Sequence, residues 1–240
     1  MNDKMKIAIL TPCYTGKRDY ITEKSISKCK KYFKNIDFIS FITKEVYIHR
    51  GRIILLDELN KYNQKNKIDL VLWLDSDVSF EPEQLSQLIQ DVVGGGLNCV
   101  SGVYFNRHEN HHPMYCVGND FDGFEWDYQS DVPNNIFPVD GIGLGFFLIK
   151  MPILEYYCKK YDFQNLFNSN NWYPRKKEVG AIFTVGEDID FCKKLLNLGY
   201  KTYVDGRIKL DHSGINYKDY LKWKKDGIWK THCQVKIKKY

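Results

Sequence analysis

The feature that most constrains the fold is a near-continuous apolar run that ends in two acids. Residues 68–74 read Ile-Asp-Leu-Val-Leu-Trp-Leu, and Asp75-Ser76-Asp77 follow directly. Such a run is typical of a strand buried on both faces of a sheet. Open α/β sheets bind their ligands beyond the carboxyl ends of the strands. Because the Asp75 and Asp77 side chains can point the same way there, the sequence predicts a divalent-metal site that also holds a phosphate.

Strands and helices alternate along the chain around this run. Strands are expected at 6–11, 37–42, 68–74, 99–105 and 201–204, and helices at 22–33, 50–62, 81–93, 152–161 and 188–198. This alternation predicts an α/β fold with a mostly parallel central sheet and flanking helices. Two irregular stretches, 106–137 and 162–184, are expected to carry specificity, because long irregular segments in a compact domain are often functional.

Length and composition are those of an ordinary soluble protein. The 240 residues suffice for one α/β core, and 27% are charged, with a net charge of +5. The seven cysteines are odd in number and contain no CxxC pair, which favours reduced thiols in a cytoplasmic protein. Neither a signal peptide nor an apolar stretch of about 20 residues is visible, so no membrane span is expected.

Basic residues are concentrated at the C-terminus, where seven lysines lie between Lys222 and Lys239. The simplest interpretation is a solvated basic surface. Peripheral contact with a membrane or with a phosphorylated acceptor is the alternative. A nucleic-acid partner is not expected, since no recognised binding motif accompanies the charge.

Two later segments carry candidate chemistry. Glu187 and Asp188 begin the predicted helix at 188–198; acids there stabilise a helix N-terminus, but one of them can also act as a general base. His212, in the segment Asp-His-Ser-Gly, is either structural or a third ligand to a metal such as Mn²⁺.

The remaining candidates are weaker. An arginine at a helix N-terminus, either Arg50 or Arg52, can clamp a diphosphate or lie on the surface. The segment 107–113 contains His108, His111 and His112, and it favours a polar loop lining a ligand site over a zinc site, since no cysteine has zinc-ligand spacing. Asp140 and Gly141 precede a glycine-rich turn, and Trp172 lies in the second irregular stretch; they are either ligand-binding or structural, with a turn role for Asp140 and core packing for Trp172.

Taken in order, these segments resemble the GT-A-fold glycosyltransferases, especially the small family 2-like enzymes of bacteria, phages and large DNA viruses. The resemblance extends from about residue 6 to 214 and rests on the segments IAILTPCY, HRGR, LVLWLDSDVSFEPEQL, NCVSGVYF, FPVDGIGLGFFLIK, VGEDIDFCKKLLNLGYKTYVD and LDHSG. It implies a single Rossmann-like GT-A domain over residues 1–214. Residues 215–240 would then be a basic C-terminal extension that packs on this domain or extends from it.

The resemblance also implies site roles. The first strand and its loop would hold the nucleotide base through Thr11, Pro12 and Tyr14, and Arg52 matches the basic segment of relatives better than Arg50 does. The acids Asp75 and Asp77, with Ser76 between them, would hold the metal on the diphosphate, and His212 would be a further ligand. Asp188 is the first choice for the catalytic base, and Glu187 is the second. The loop 107–113 would line the sugar or acceptor site, and Asp140, Gly141 and Trp172 would lie on the acceptor side.

The function expected from these observations is metal-dependent transfer of a sugar from a nucleotide-sugar, of which a UDP-sugar fits best, to an acceptor hydroxyl. Mn²⁺ or Mg²⁺ would be the cofactor, and the acceptor would be a glycan, a lipid-linked molecule or a protein. Single displacement with inversion is the expected mechanism. A retaining transferase, a sugar nucleotidyltransferase and an inactive nucleotide-sugar-binding module are the alternatives.

Overall fold

The structure is a computed structural model that describes residues 4–107, 111–117, 131–168 and 186–226, and the backbone of 172–174 and 182–184. Its strands are β1 (Met5–Thr11), β2 (Ile36–Ile42), β3 (Leu70–Leu74), β4 (Val78–Ser79), β5 (Cys99–Val103), β6 (Tyr115–Cys116), β7 (Ile136–Val139), β8 (Gly141–Ile142), β9 (Phe146–Lys150), β10 (Trp172–Pro174), β11 (Ile182–Thr184), β12 (Thr202–Lys209) and β13 (Asp211–His212). Its helices are α1 (Tyr20–Tyr32), α2 (Ile48–Asn66), α3 (Pro82–Val93), α4 (Met151–Lys160), α5 (Glu187–Asn197) and α6 (Tyr217–Lys225).

Within these residues, seven strands form one central sheet in the order β2-β1-β3-β9-β5-β12-β7. Strands β2, β1, β3, β5 and β12 share one direction, whereas β9 and β7 run against it. Helices flank the sheet. The predicted α/β class, with a mostly parallel sheet in one Rossmann-like GT-A domain, is confirmed.

The central strand has the environment that its sequence predicts. All five residues of β3 are buried, and they lie between β1 on one side and β9 on the other. The next helix, α3, begins where the sequence places it, because Pro82 suits its first turn and Glu81 and Gln84 form a capping box. The chain segment between β3 and α3 is therefore fixed at both ends.

Strand β9 is the main departure from the expected pattern. The apolar run at 146–149 forms a buried strand, but this strand is antiparallel and lies between β3 and β5, with Leu74 opposite Phe146. The start of β9 is thus level with the carboxyl end of β3. As a result, the glycine-rich turn before β9 reaches the same sheet edge as Asp75.

The C-terminal part of the described chain returns to this edge. After β12, strand β13 pairs antiparallel with β4, and this pairing places His212 opposite Val78. Helix α6 then packs on the domain, where Tyr220 stacks on Phe105 with ring centroids 5.0 Å apart and Trp223 is buried. The residues 227–240, with the last four of the seven lysines, lie outside the described residues.

Six cysteines fall within the described residues, and all six are free; five are buried, and Cys158 is half-buried. No described helix combines the length and the apolar character that crossing a membrane requires.

Candidate functional site

A cleft of about 350 Å³ opens at the carboxyl ends of β1, β3 and β5. Its described lining contains both apolar and polar residues, and consists of Pro12, Cys13, Tyr14, Glu45, Val46, Ile48, Asp75, Ser76, Asp77, Asn106, Arg107, Met114 and His212. Six of the predicted site residues are among them, namely Pro12, Tyr14, Asp75, Ser76, Asp77 and His212. The fold therefore brings together segments that are up to 200 residues apart in sequence.

The loop that carries the two acids is held by backbone contacts on three sides. The Ser76 carbonyl accepts hydrogen bonds from the Asp19 N–H at 2.8 Å and from the Thr22 hydroxyl at 2.9 Å. The Asp75 N–H donates to the Gly145 carbonyl at 3.0 Å, and the Ser213 N–H donates to the Asp77 carbonyl at 2.9 Å. These bonds fix the loop, and the two carboxylates can then face different surroundings.

Asp77 belongs to a group that we call the cleft cluster, which consists of Asp77, Arg107, His212 and Ser213. Asp77 Oδ2 accepts hydrogen bonds from Arg107 Nη1 at 2.5 Å and from Ser213 Oγ at 2.7 Å, and Oδ1 lies 3.4 Å from His212 Nε2. Burial alone would raise the pKa of Asp77, but the His212 and Ser213 contacts and the Arg107 charge hold it well below its usual range. Asp77 is therefore ionised at neutral pH.

His212 is oriented as a metal-binding histidine commonly is. Its Nδ1 lies 2.8 Å from the Phe105 carbonyl oxygen, which can only accept, so Nδ1 carries the proton of the neutral ring. Burial lowers the pKa of this ring, but Asp77, which faces Nε2 at 3.4 Å, raises it above its usual value; a cation bound between Asp77 and His212 would require Nε2 without its proton. Carboxylate oxygens and an imidazole nitrogen suit Mn²⁺ or Mg²⁺, so the donor chemistry of Asp77 and His212 fits the expected cation.

The third predicted ligand, Asp75, does not join this pair. Among the described residues, no group of three or more histidine, cysteine, aspartate or glutamate side chains is arranged to hold a metal ion. Asp75 lines the cleft, but its Oδ1 lies 3.5 Å from Arg52 Nη2. Each of the two acids is therefore engaged by a different arginine.

Asp75 belongs to a second group, the inner cluster, which consists of Arg52, Asp75, Tyr104, Glu187 and Asp188. Arg52 joins two distant segments, since its Nη2 contacts Asp75 and its Nε donates to Glu187 Oε1 at 3.3 Å. The guanidinium also lies over the Trp73 ring, 5.2 Å from the centroid. Burial would lower the pKa of Arg52, but Asp75 and Glu187 raise it, so this buried cation stays charged.

Asp188 lies beside this bridge at the first turn of α5. A Cβ atom added to Gly143 would lie 3.5 Å from Asp188 Oδ2 and would collide with the Tyr104 hydroxyl. A Cβ atom added to Gly145 would lie 2.9 Å from Asp75 Oδ2 and 3.0 Å from the same hydroxyl. The bare glycine backbone therefore lets Tyr104 reach a position next to both carboxylates.

Two carboxyl groups of the inner cluster, those of Asp188 and Asp75, are harder to ionise than free ones. Burial and the neighbouring Glu187 carboxylate raise the pKa of Asp188 to about 7, although Arg52 opposes the rise. Burial also raises the pKa of Asp75, against the effect of Arg52. A carboxylate whose pKa is near neutral can take up a proton at physiological pH, which is the property required of a general base.

The position of Arg52 corrects one prediction. Arg52 was expected to contact a diphosphate, but its side chain is only 2% exposed, and it is not among the described residues that line the cleft. The physical reason is its place on α2, where it shares a helix face with the buried Leu55, Leu56 and Leu59. Arg50, the other candidate, has a 61% exposed side chain that lies 4.0 Å from Glu45.

Thr11 also departs from its predicted position. It was expected to contact the nucleotide base, but it is fully buried and accepts a hydrogen bond from Arg18 Nε at 2.7 Å. Its neighbours Pro12 and Tyr14 do line the cleft. Thr11 therefore lies behind the loop, while the buried Pro12 and the exposed Tyr14 contribute to the cleft lining.

Of the predicted acceptor-side residues, Asp140 and Gly141 are not among the described residues that line the cleft. Gly141 is buried against Ile189 and Cys116, and Asp140 precedes it with its N–H donating to the Cys116 carbonyl at 3.0 Å. Trp172 pairs with Thr184 in a two-stranded ribbon, and its side chain lies outside the described residues.

The predicted histidine loop is described only in part, because His108 lies outside the described residues. His111 Nδ1 lies 3.0 Å from the Asn106 carbonyl, and His112 is buried. Neither of these two is among the described residues that line the cleft, whereas Asn106, Arg107 and Met114 of the same region are.

Three residues of the two clusters, Tyr104, Arg107 and Ser213, were not predicted individually. Tyr104 and Ser213 stand in quoted sequence segments, but nothing in the local pattern marks them, since their partners are far away in sequence. Arg107 begins the predicted polar loop, and only the fold places it against Asp77. Contacts of this kind depend on which strand ends meet, and a single sequence does not display that.

Comparison with known proteins supports the fold. No protein-family model matches the chain, and no curated protein sequence matches it. Among solved structures, the crystal structure of A197 from STIV is similar, with a TM-score of 0.55 and 19% identity over 87% of this chain and 85% of that chain. At that identity, the likeness shows a shared fold and no more.

A second solved structure is a glycosyltransferase involved in the glycosylation of the major capsid of PBCV-1. It matches with a TM-score of 0.39 and 15% identity over 72% of this chain and 74% of that chain. This likeness is too weak to carry an argument about the present chain.

Proposed function

We propose that this chain is a metal-dependent glycosyltransferase that moves a sugar from a nucleotide-sugar, best a UDP-sugar, to an acceptor hydroxyl. The observation that carries the proposal is the bridge made by Arg52. It holds the acidic start of α5 against the loop that carries Asp75 and Asp77, although Arg52 and Glu187 are 135 residues apart. A candidate base is thereby fixed beside a candidate phosphate site.

The cleft would hold the donor. Its apolar lining residues, which include Pro12, Tyr14 and Val46, suit the faces of a nucleotide base, and its basic residues suit the diphosphate. Asp77 and His212, with Asp75 as a second carboxylate in the same cleft, would hold Mn²⁺ or Mg²⁺. Such a cation, when bound, neutralises charge on the leaving diphosphate.

Asp188 would act as the general base. Its carboxylate accepts the proton of the acceptor hydroxyl while that oxygen forms a bond to the anomeric carbon, and the bond from this carbon to the diphosphate oxygen breaks on the opposite face. This is a single displacement with inversion. Glu187 is the poorer candidate, because its carboxylate already accepts a hydrogen bond from Arg52. We assign it to positioning.

Replacing Asp188 by Asn tests the assignment. Asp188→Asn removes the proton acceptor and keeps the size of the side chain, so transfer should fall by about 10²- to 10⁴-fold, with donor affinity nearly unchanged. Transfer from a UDP-sugar with Mn²⁺ and UDP binding by calorimetry measure the two effects. Asp57→Asn, which removes an exposed carboxylate on α2, is the matched control.

The same assay separates the alternatives. NMR of the product distinguishes inversion from retention at the anomeric carbon. Formation of a UDP-sugar from UTP and a sugar 1-phosphate would identify a nucleotidyltransferase. Binding of UDP-sugars with neither transfer nor hydrolysis would identify an inactive binding module. An Asp188→Asn enzyme that keeps full activity would remove Asp188 from the mechanism.

A further inference from the structure

We infer that Arg107 binds the diphosphate of the donor, and that it leaves Asp77 for the phosphate oxygens when a divalent cation occupies the site. The inference rests on the proposed function for the identity of the donor. It assigns a phosphate-binding role to a residue for which the sequence gives none, and it replaces the predicted role of Arg52.

The first support is the difference in access between the two arginines. The Arg107 side chain is 54% exposed and lines the cleft, whereas that of Arg52 is 2% exposed and is held by two carboxylates. Among the described side chains that line the cleft, Arg107 and His212 are the basic ones. A diphosphate in this cleft would therefore meet Arg107 and could not reach Arg52.

The second support is the position of the Arg107 guanidinium. It contacts Asp77 Oδ2 at 2.5 Å, on the acid whose Oδ1 faces His212 at 3.4 Å. Arg107 thus supplies positive charge to the carboxylate that would ligate the cation. Because a cation and a guanidinium repel each other at this distance, they compete for Asp77.

The third support is the chemistry of the exchange. A guanidinium forms two parallel hydrogen bonds with phosphate oxygens as readily as with a carboxylate. Ser213 Oγ also donates to Asp77 Oδ2 at 2.7 Å, so this oxygen keeps a donor when Arg107 moves away. The movement is confined to a half-exposed side chain.

The exchange makes the binding of the cation and the diphosphate cooperative. Arg107 weakens cation binding while the site holds no phosphate, and it strengthens phosphate binding once the cation has displaced it from Asp77. By linkage, each ligand then raises the affinity for the other. Removing the guanidinium should therefore affect the two affinities in opposite directions, which a merely structural role would not do.

Calorimetry with Arg107→Ala measures both affinities. Mn²⁺ alone should bind about 3- to 10-fold more tightly than to the natural chain, since its competitor is absent. In saturating Mn²⁺, UDP and inorganic pyrophosphate should bind about 10- to 100-fold more weakly. Uridine, which has no phosphate, should bind equally well to both proteins.

Two further variants make the result specific. Arg107→Lys keeps the charge without the planar fork and should fall between the natural chain and Arg107→Ala. Lys61→Ala removes an exposed basic residue of α2 that pairs with Asp57, and neither residue is among those described as lining the cleft, so this variant should change neither affinity. Thermal unfolding of each variant confirms that it is folded.

The outcomes are distinct. Unchanged UDP and pyrophosphate affinity in Arg107→Ala would overturn the inference, and so would a parallel loss of Mn²⁺ affinity. If the natural chain binds pyrophosphate with Mn²⁺ but no UDP, and Arg107→Ala loses the pyrophosphate, the inference stands and the proposed donor is wrong. If the natural chain binds neither phosphate ligand, both are wrong.

Discussion

The inner cluster and the cleft cluster each contain an arginine and one carboxylate of the segment Asp75-Ser76-Asp77. The two arginines differ in their exposure to water, and the two carboxyl groups differ in the direction of their pKa shifts. In the inner cluster, burial raises the pKa of Asp75, and Arg52 is shielded from water. In the cleft cluster, the pKa of Asp77 is lowered, and Arg107 is half-exposed. The difference teaches that two acids two residues apart can have different electrostatic surroundings, Asp75 beside the buried Arg52 and Asp77 beside the half-exposed Arg107.

The sharpest test of this contrast is to remove each arginine in turn. Arg52→Met leaves the half-buried carboxylates Asp75, Glu187 and Asp188 without the buried cation that they share. Breaking a buried ion pair from one side typically costs about 3–5 kcal/mol, and we expect a loss of this size in the free energy of unfolding, measured with urea. A loss below about 1 kcal/mol would contradict the structural role of Arg52.

The pH dependence of stability tests the inner cluster separately. The pKa of Asp188 is about 7 in the folded chain, against an ordinary value of about 3.9. Between these two values the unfolded chain loses the proton and the folded chain keeps it. The contribution of Asp188 to the free energy of unfolding is therefore fully present below about pH 4 and is lost as the pH rises toward 7. Asp188→Asn imitates the protonated form at every pH and should lack this loss.

At each pH, the free energy of unfolding of the natural chain is subtracted from that of Asp188→Asn. We expect this difference to increase by about 1–2 kcal/mol between pH 4.5 and 7.5, allowing for partial exposure of the group. Urea unfolding at a series of pH values measures it. Asp57→Asn, which alters an exposed ion pair on α2, should show no such increase. If the free energy of unfolding of Asp188→Asn depends on pH as that of the natural chain does, Asp188 ionises normally in the folded chain.

The smallest effect is expected in the cleft cluster. Arg107→Ala removes a half-exposed partner of Asp77, and exposed ion pairs contribute about 0–1 kcal/mol. Its unfolding free energy should therefore stay within about 1 kcal/mol of that of the natural chain, while its ligand affinities change. A destabilisation as large as that of Arg52→Met would mean that Arg107 has a structural role like that of Arg52, and would contradict the difference between the two clusters.

Much of the fold was predictable, because the hydrophobic pattern of a segment indicates which of its residues are buried. The apolar run before Asp75 predicted the central strand, and Pro82 marked the start of α3. The direction of β9 was not predictable, since an apolar run has the same appearance in a parallel and an antiparallel strand. Strand direction depends on which neighbours the chain finds, and local sequence does not record it.

The sequence predicted the acidic residues of the site better than its basic residues. The buried place of Arg52 did leave a signal, because Arg52 is spaced three, four and seven residues from Leu55, Leu56 and Leu59 on one helix face. The sequence contained no such signal for Arg107, because its partner Asp77 is 30 residues away. His212 was proposed through resemblance, and the pairing of β13 with β4 is what brings it to Asp77.

By itself, the sequence determined that this chain forms an α/β sheet and that acids follow one of its central strands, because hydrophobic periodicity and strand-end polarity are local properties. Only the tertiary structure decided which cation each acid meets. That choice depends on burial and on the meeting of segments distant in sequence, and it turned Asp75 toward Arg52 and Asp77 toward Arg107, His212 and Ser213.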